Sequence, residues 1–309
     1  MTLHQLELLV TIADRGSVSA TAEFFGLTQP TVSHQIQLLE QELGVNLVER
    51  KSRGMDLTEA GKLVVGDARP IIQMVRSIPA RIQQLNEVVE GSVTLGLSPV
   101  SPVATYHFPP IYHEFHRRYP KVQVSVVEEG SRELVSLLHN NEVDLAIMSL
   151  PVLGSRVDIT PLWREDLVVI SNSPPSNNVP GSLRDFKNHP WILFRSGFGL
   201  TRTVKALCQS AGFDPKPAAE ASTLGAVIGF VASGLGVSIV PQEAALAHQQ
   251  AGRVHIIPVD PPISRTMALV TVTGNILGPS ARAMAEAIRD YSRHQPQAVD
   301  EGLDVGSFL

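Results

Sequence analysis

Gln29, Pro30, Thr31, Ser33, His34 and Gln37 fall opposite an apolar series, Val32, Ile36, Leu39 and Leu43, whose steps of four, three and four define one buried helical stripe. The opposite side is therefore rich in groups that donate and accept hydrogen bonds, and it holds no large acid near its start. Side chains of this kind reach base edges and phosphates in a DNA major groove. A second chemical pattern lies further along, where Arg195-Ser196-Gly197-Phe198-Gly199-Leu200-Thr201 follows the apolar run Trp191 to Phe194. Small glycines let backbone approach a ligand, a helix start near Thr201 brings positive dipole character, and Arg195 adds a forked donor. That combination suits an anion such as a carboxylate.

The first pattern needs elements to hold it. Ser17 and Thr28 are short polar residues placed to cap two consecutive helices, Gly26 can close the first in a left-handed conformation, and Pro30 falls in the first turn of the second, where its missing N–H costs nothing. The break Gly26-Leu27-Thr28 makes the pair a helix-turn-helix. Upstream, Thr2 and Gln5 have capping-box spacing, and Leu3, Leu6, Leu9 or Val10, and Ala13 supply a third helix that closes a small core. Downstream, Val48 to Leu57 carries Arg50, Lys51 and Arg53 around Gly54 and reads as a basic hairpin, or wing. Thr58 then caps a long helix whose apolar positions Val64, Ala68, Ile71, Val75, Ile78, Ile82, Leu85 and Val89 alternate steps of four and three, a heptad seam that a second copy of the chain would cover. Pro70 and Pro79 predict a helix bent or interrupted around one of them, Pro79 in the first place.

From residue 92 the pattern turns to alternating strands and helices: Val93 to Leu97, Ile111 to Tyr119, Val122 to Glu128, Arg132 to His139 and Asp144 to Met148, then a second set with strands Leu167 to Ile170 and Trp191 to Phe194, helices Thr201 to Ala211 and Leu224 to Ala232, and a return strand near Met267 to Val272. A last helix, Ser280 to Tyr291, closes the set. Two α/β lobes joined by crossing strands leave a cleft where strand C-termini and helix N-termini converge. Ser98 and Ser101 follow the first strand, Ser131 opens the helix after the second, and Ser149 follows the Asp144 strand, so all face that cleft.

Residues 1 to 62 resemble the winged helix-turn-helix of LysR-type transcriptional regulators through Gly16-Ser17, Ala22, Gln29-Pro30, Val32-Ser33, Ile36, Leu39-Glu40, Leu43-Gly44, Leu47, Arg50 and Leu57-Thr58-x-Ala60-Gly61. Glu128 to Ile147, Ala211-Gly212-Phe213 and Ser233 to Pro241 resemble the same family's effector-binding domain, itself similar to periplasmic solute-binding proteins. The resemblance implies an α/β chain with an all-α N-terminal part: a winged helix-turn-helix over 1–58, a linker (dimerisation) helix over 59–91, effector-domain lobe I over 92–162 and 267–295, lobe II over 163–266, and a disordered tail over 296–309. It further implies promoter double-stranded DNA and RNA polymerase as partners, a homodimer or homotetramer, no resident cofactor, and a small organic anion as effector. Carried over, DNA contacts fall on Gln29, Pro30, Thr31, Ser33, His34, Gln37, Arg50 and Arg53, and effector contacts on Ser98, Ser101, Ser131, Ser149, Arg195, Ser196, Thr201 and Thr223. Where many relatives place arginine this chain has His34, so a fixed charge gives way to an imidazole whose charge depends on pH.

Composition bounds these readings. The chain has 309 residues, 43% of them hydrophobic and 18% charged, as expected of about two ordinary globular domains. Its net charge is −5, and residues 1–58 hold four bases (Arg15, Arg50, Lys51, Arg53) against seven acids (Glu7, Asp14, Glu23, Glu40, Glu42, Glu49, Asp56), a balance of −3. No broad basic footprint exists, so duplex binding must rest on local geometry and on several heads acting together. The uncharged run Ala221 to Val240 suits a buried helix followed by a strand better than a membrane span, and no signal peptide is expected before the first helix. One cysteine, Cys208, fits a helical core position, argues for a reducing, cytoplasmic setting and excludes a two-cysteine redox switch. Hydrolase and nucleotide signatures are missing: there is no G-x-S-x-G elbow and no P-loop, and Gly197-x-Gly199 lacks the third glycine of a dinucleotide fingerprint. His107, His113 and His116 read as a solvated face without a completed metal set. The chemistry points to binding, not to an enzyme.

Overall fold

Each early cap forms where the side chain is short enough to turn back on the backbone. In the computed structural model, which describes residues 1–51, 54–83, 89–152, 154, 156–174 and 181–299, Thr2 and Gln5 close a full capping box on α1 (Leu3–Arg15). The Ser17 side chain accepts from Ala20 N at the start of α2 (Val18–Phe25), and that of Thr28 from Thr31 N at the start of α3 (Gln29–Leu43). Gly26 ends α2 in the left-handed region at φ 64°, so the short turn forms as its residue types require. Leu8, Leu9, Ile12, Ala22, Val32, Ile36, Leu39 and Leu47 make the core that these helices share.

The wing is a two-stranded antiparallel hairpin, β1 (Val48–Lys51) on β2 (Gly54–Leu57). Its entry is held by Glu40, whose Oε1 accepts from Leu47 N at 2.7 Å and Val48 N at 3.2 Å. Thr58 closes the exit, donating to Asn46 O at 2.7 Å while accepting from Gly61 N at 3.0 Å. Gly61 is required by space: a Cβ there would stand 2.0 Å from the Leu47 carbonyl oxygen.

Helix α4 (Glu59–Gln83) runs unbroken through Pro70 and Pro79, so the expected interruption does not occur. One of its faces, Val65, Ala68 and Ile72, packs within the N-terminal unit, with Ala68 and Ile72 against Leu6 of α1. Ile71, Val75 and Ile78 remain 40–46% exposed, which leaves the middle of the heptad stripe uncovered in a single chain. Leu85 of that seam lies outside the described residues, as does the side chain of Ile82, whose backbone belongs to α4. Val89 does not belong to it, because the residue packs against the core of the C-terminal unit. By contacts the chain divides into Met1–Leu85 and Asn86–Leu309.

In the C-terminal unit a mixed seven-stranded sheet has the order β10-β6-β11-β5-β3-β4, with β9 also pairing β6, and β7 pairs β8 in a separate two-stranded sheet. These strands are β3 (Gly91–Leu97), β4 (Val122–Glu128), β5 (Leu145–Ser149), β6 (Val157–Ser171), β7 (Trp191–Phe194), β8 (Pro217–Ala221), β9 (Ser238–Pro241), β10 (His255–Ile257) and β11 (Ile263–Val272). The helices are α5 (Phe108–Arg118), α6 (Ser131–His139), α7 (Gly199–Ser210), α8 (Leu224–Ala232), α9 (Gln242–Gln250) and α10 (Pro279–Arg293). Two adjoining cores, around Val93, Leu95, Leu145, Trp163, Met267 and Ile288 and around Leu134, Leu138, Ala146 and Val270, build one lobe. A third, around Val169, Trp191, Phe194, Val204, Val227 and Ile239, builds the other. The antiparallel strands β6 and β11 cross between them.

Three expectations need correction. The segment after Gln295 is not disordered throughout: Gln297 O accepts from Arg164 N and Val299 N donates to Leu162 O, so residues 296–299 dock along β6, while 300–309 lie outside the described residues. His107 is not on a solvated face. It is buried, its ring stacked 4.7 Å from Trp163, with Nε2 2.9 Å from Glu243 and Nδ1 3.2 Å from the Tyr291 hydroxyl; His113 and His116 are exposed as expected. Strand β6 is also far longer than the Leu167 to Ile170 run, because ladder pairing with β11 carries its polar first half.

The contact at Gly61 yields a test: Gly61→Ala should lower the stability of the N-terminal unit by about 1–3 kcal/mol, the usual scale for forced overpacking, seen as an earlier first transition in a thermal melt.

Candidate functional sites: a reader helix and an interlobe cleft

Helix α3 buries Val32, Ile36 and Leu39 and turns its other side outward. Gln29, Pro30, Thr31, Ser33, His34 and Gln37 are all exposed, which is what a surface that meets a duplex requires. The Gln29 amide donates to Ser19 Oγ, and the Thr28 and Thr31 hydroxyls are 2.8 Å apart, so the first turn of α3 is pinned before any partner arrives. Arg53 lies outside the described residues, as does the side chain of Arg50, whose backbone belongs to β1.

Parallel pairing assembles the second site. Strand β3 lies between β4 and β5 and runs parallel to both, with Leu97 opposite Glu128 and Ile147, so the three C-terminal ends lie along one edge. Ser98, Ser131 and Ser149 follow those ends and are 4–5% exposed. Among the described residues their hydroxyls have no hydrogen-bond partner. From the other lobe, the N-terminus of α7 arrives at the same place. A Cβ on Gly199 would lie 2.8 Å from Ser149 Oγ and 3.2 Å from Ser131 Oγ, and one on Gly130 would lie 3.2 Å from Gly197 O. Both α6 and α7 begin without a side-chain cap, at Gly130 and Phe198, so their first amides converge with free hydroxyls. Amides, positive helix ends and hydroxyls are the kinds of group that a small anion requires.

The remaining expected effector residues are placed differently. Thr201 is buried, and its hydroxyl is directed back to the carbonyl oxygens of Phe194 at 3.0 Å and Arg195 at 2.9 Å, so its proton holds the end of β7 to α7. Ser101 donates to Glu165 Oε1 at 3.0 Å and belongs to the hinge. Thr223 is exposed and caps α8, accepting from Ala226 N at 3.3 Å. Arg195 and Ser196 are exposed at the loop after β7.

At the hinge, Glu165 on β6 and Arg265 on β11 are direct cross-strand partners and form a buried ion pair. Arg265 Nη2 also donates to Val100 O at 3.2 Å. Sequence reasoning missed this pair, since two charges a hundred positions apart show nothing of it until the register is known. Among the described residues no group of histidines, cysteines and acids could hold a metal ion, and no helix is long and apolar enough to cross a membrane.

Residues 3–62 match the bacterial regulatory helix-turn-helix protein, lysR family, and residues 86–293 match the LysR substrate binding domain. The chain belongs to the LysR family of transcriptional regulators, with a DNA-binding head and an effector-binding domain. Its relatives include an uncharacterized HTH-type transcriptional regulator, YcgK, of Bacillus subtilis, 30% identical over 98% of this chain and 97% of that one. A hydrogen peroxide-inducible genes activator of Pectobacterium carotovorum is 29% identical over 94% and 97%. Among solved structures, a full-length OxyR variant from Pseudomonas aeruginosa is 26% identical, with a TM-score of 0.69 over 98% of this chain and 99% of that one.

This chain has the single Cys208, so it forms no internal disulfide. Burial pushes its thiol up to about 12, with Asp214 adding to the shift. Only thiolate is nucleophilic, so Cys208 should resist thiol reagents in the native protein at pH 8 and react once denatured. Mass spectrometry after alkylation with and without denaturant checks this, and fast native labelling would contradict the packing.

Proposed function

We propose that this LysR-family regulator reads promoter DNA through the exposed edge Gln29–Gln37 of α3, assisted by wing residues Arg50 and Arg53, and that a small anionic effector seated between its lobes sets its activity. The observation that carries the effector reading is the meeting of two uncapped helix N-termini with the buried residues Ser131 and Ser149, whose hydroxyls bond to no described residue. Ser98 lies along the same strand edge, and Arg195 supplies a nearby cation from the following loop. Lobe I spans 92–162 and 267–295, and lobe II spans 163–266. The protein acts in the cytoplasm, performs no catalysis and engages RNA polymerase from the promoter.

Assembly follows from the uncovered stripe Ile71, Val75 and Ile78 on α4, which a second copy of the same helix covers, giving a homodimer or homotetramer. Paired heads also answer the charge problem. With a net charge of −3 over residues 1–58, one head alone holds DNA weakly, whereas two linked heads gain from effective concentration.

Fluorescence anisotropy with a double-stranded oligonucleotide from upstream of its own gene tests the reading. The double substitution Ser33→Ala/His34→Ala should weaken binding at least about tenfold, the scale of one or two lost base or phosphate contacts, with an unchanged melting curve. Equal affinity would remove α3 from the interface. The logarithm of affinity should fall only gently with that of salt, since each phosphate contact contributes about −0.9 to the slope and few cations are on offer.

A further inference from the structure

A second contact joins the two lobes without the serines, and it centres on His107. This residue ends the helical turn Val103–His107, and Val103 and the following Phe108 lie in the core of lobe I. Its ring is buried against that of Trp163 on β6, with centroids 4.7 Å apart and planes only 27° from parallel. Nδ1 meets the Tyr291 hydroxyl of α10 at 3.2 Å, within the same lobe. Nε2 instead lies 2.9 Å from Glu243 in the first turn of α9, where Ala244 and Ala245 belong to the core of lobe II. One neutral tautomer satisfies both contacts: a proton on Nε2 is donated to the Glu243 carboxylate, while Nδ1 accepts from the tyrosine.

The two sides of this contact are held unequally. Arg164 N donates to Gln297 O at 2.9 Å and Val299 N to Leu162 O at 3.0 Å, so the docked segment 296–299 clamps the β6 backbone on both sides of Trp163. The imidazole is thereby fixed by its stack and by Tyr291. Helix α9 starts beside the hinge, since Pro241 at the end of β9 stands opposite Leu167 on β6, yet the Glu243 side chain is 43% exposed. A hydrogen bond weakens steeply beyond about 3.5 Å, so a rotation that carries the start of α9 away by roughly 1 Å ends this one. Water then takes the place of the imidazole at the half-exposed carboxylate.

We infer that His107 and Glu243 form an interlobe latch: lobe I presents a fixed imidazole, and lobe II engages or releases it as the angle between the lobes changes. The latch is engaged in this structure. Because the imidazole is already in place, closing it orders only the Glu243 side chain, and a packed contact of this kind is either made or broken, with no graded middle. It gives the regulator a default lobe angle set by the protein alone, whatever ligand it takes. His107 and Glu243 are positioning residues in this role.

Pulsed electron resonance distances between nitroxide labels test the latch on the full chain, in a Cys208→Ala background diluted with unlabelled protein so that only intrachain pairs are read. Two pairs of exposed positions span the lobes, His113→Cys with Lys205→Cys and Ser136→Cys with Ser210→Cys. Glu243→Ala, which removes a half-exposed acceptor and no core packing, should shift or split at least one interlobe distance by about 2 Å or more without added ligand. His107→Phe keeps a ring on Trp163 but loses both nitrogens, and should give the same new distribution. The double variant His107→Phe/Glu243→Ala should change nothing further, because both substitutions break one contact. Glu243→Gln keeps an acceptor and should retain the parent distances, as should Gln249→Ala elsewhere on α9. Parent distances in Glu243→Ala, a shift in His107→Phe alone, or additive shifts in the double variant overturn the latch and leave His107 a packing residue of lobe I.

Discussion

The ladder between β6 and β11 is the element on which the effector domain hangs, and near one end it holds a buried ion pair. Glu165 and Arg265 face each other directly across two strands that pass from one lobe core to the other. Two charges this far from water are tolerable only when each satisfies the other, and removing one partner leaves the survivor stranded at a cost of about 3–5 kcal/mol. Ser101 and Val100 bind the same pair, so the loop that carries Ser98 to the cleft is tied to the hinge.

Charge in this protein works by placement and not by quantity. Overall the chain is acidic, and its DNA-binding head is acidic too. What it offers to negative partners is local: the start of α3 with its hydroxyl and amide side chains, and the converging ends of α6 and α7 in the cleft. Helix ends supply partial positive charge without adding net charge, and their amides are already aimed.

Relatedness carries the architecture further than the chemistry. Relatives near 30% identity span nearly the whole chain, and one of them is named for peroxide-inducible genes. Here the lone Cys208 is sealed in the same core as Val204, Phe213 and Val227. Where β3, β4 and β5 end, the described residues bring together the serine hydroxyls and the first amides of α6 and α7.

Local rules were legible in the residues alone. Capping at Thr2, Ser17 and Thr28, the left-handed Gly26, the apolar stripe of α3 and the limits of β4, β7 and α8 all follow from interactions within a few positions, and the chain states those directly. Long-range pairing was not legible. That His107 stacks on Trp163, that Ser101 and Thr201 spend their protons on protein acceptors, that residues 296–299 dock on β6, and that Glu165 meets Arg265 all depend on register between strands distant in sequence. The sequence by itself determined which residues could bind DNA or an anion, because side-chain type and helical spacing are local properties. Only the tertiary structure decided which hydroxyls stay free for a ligand, because a donor remains available only if no other part of the folded chain has taken it.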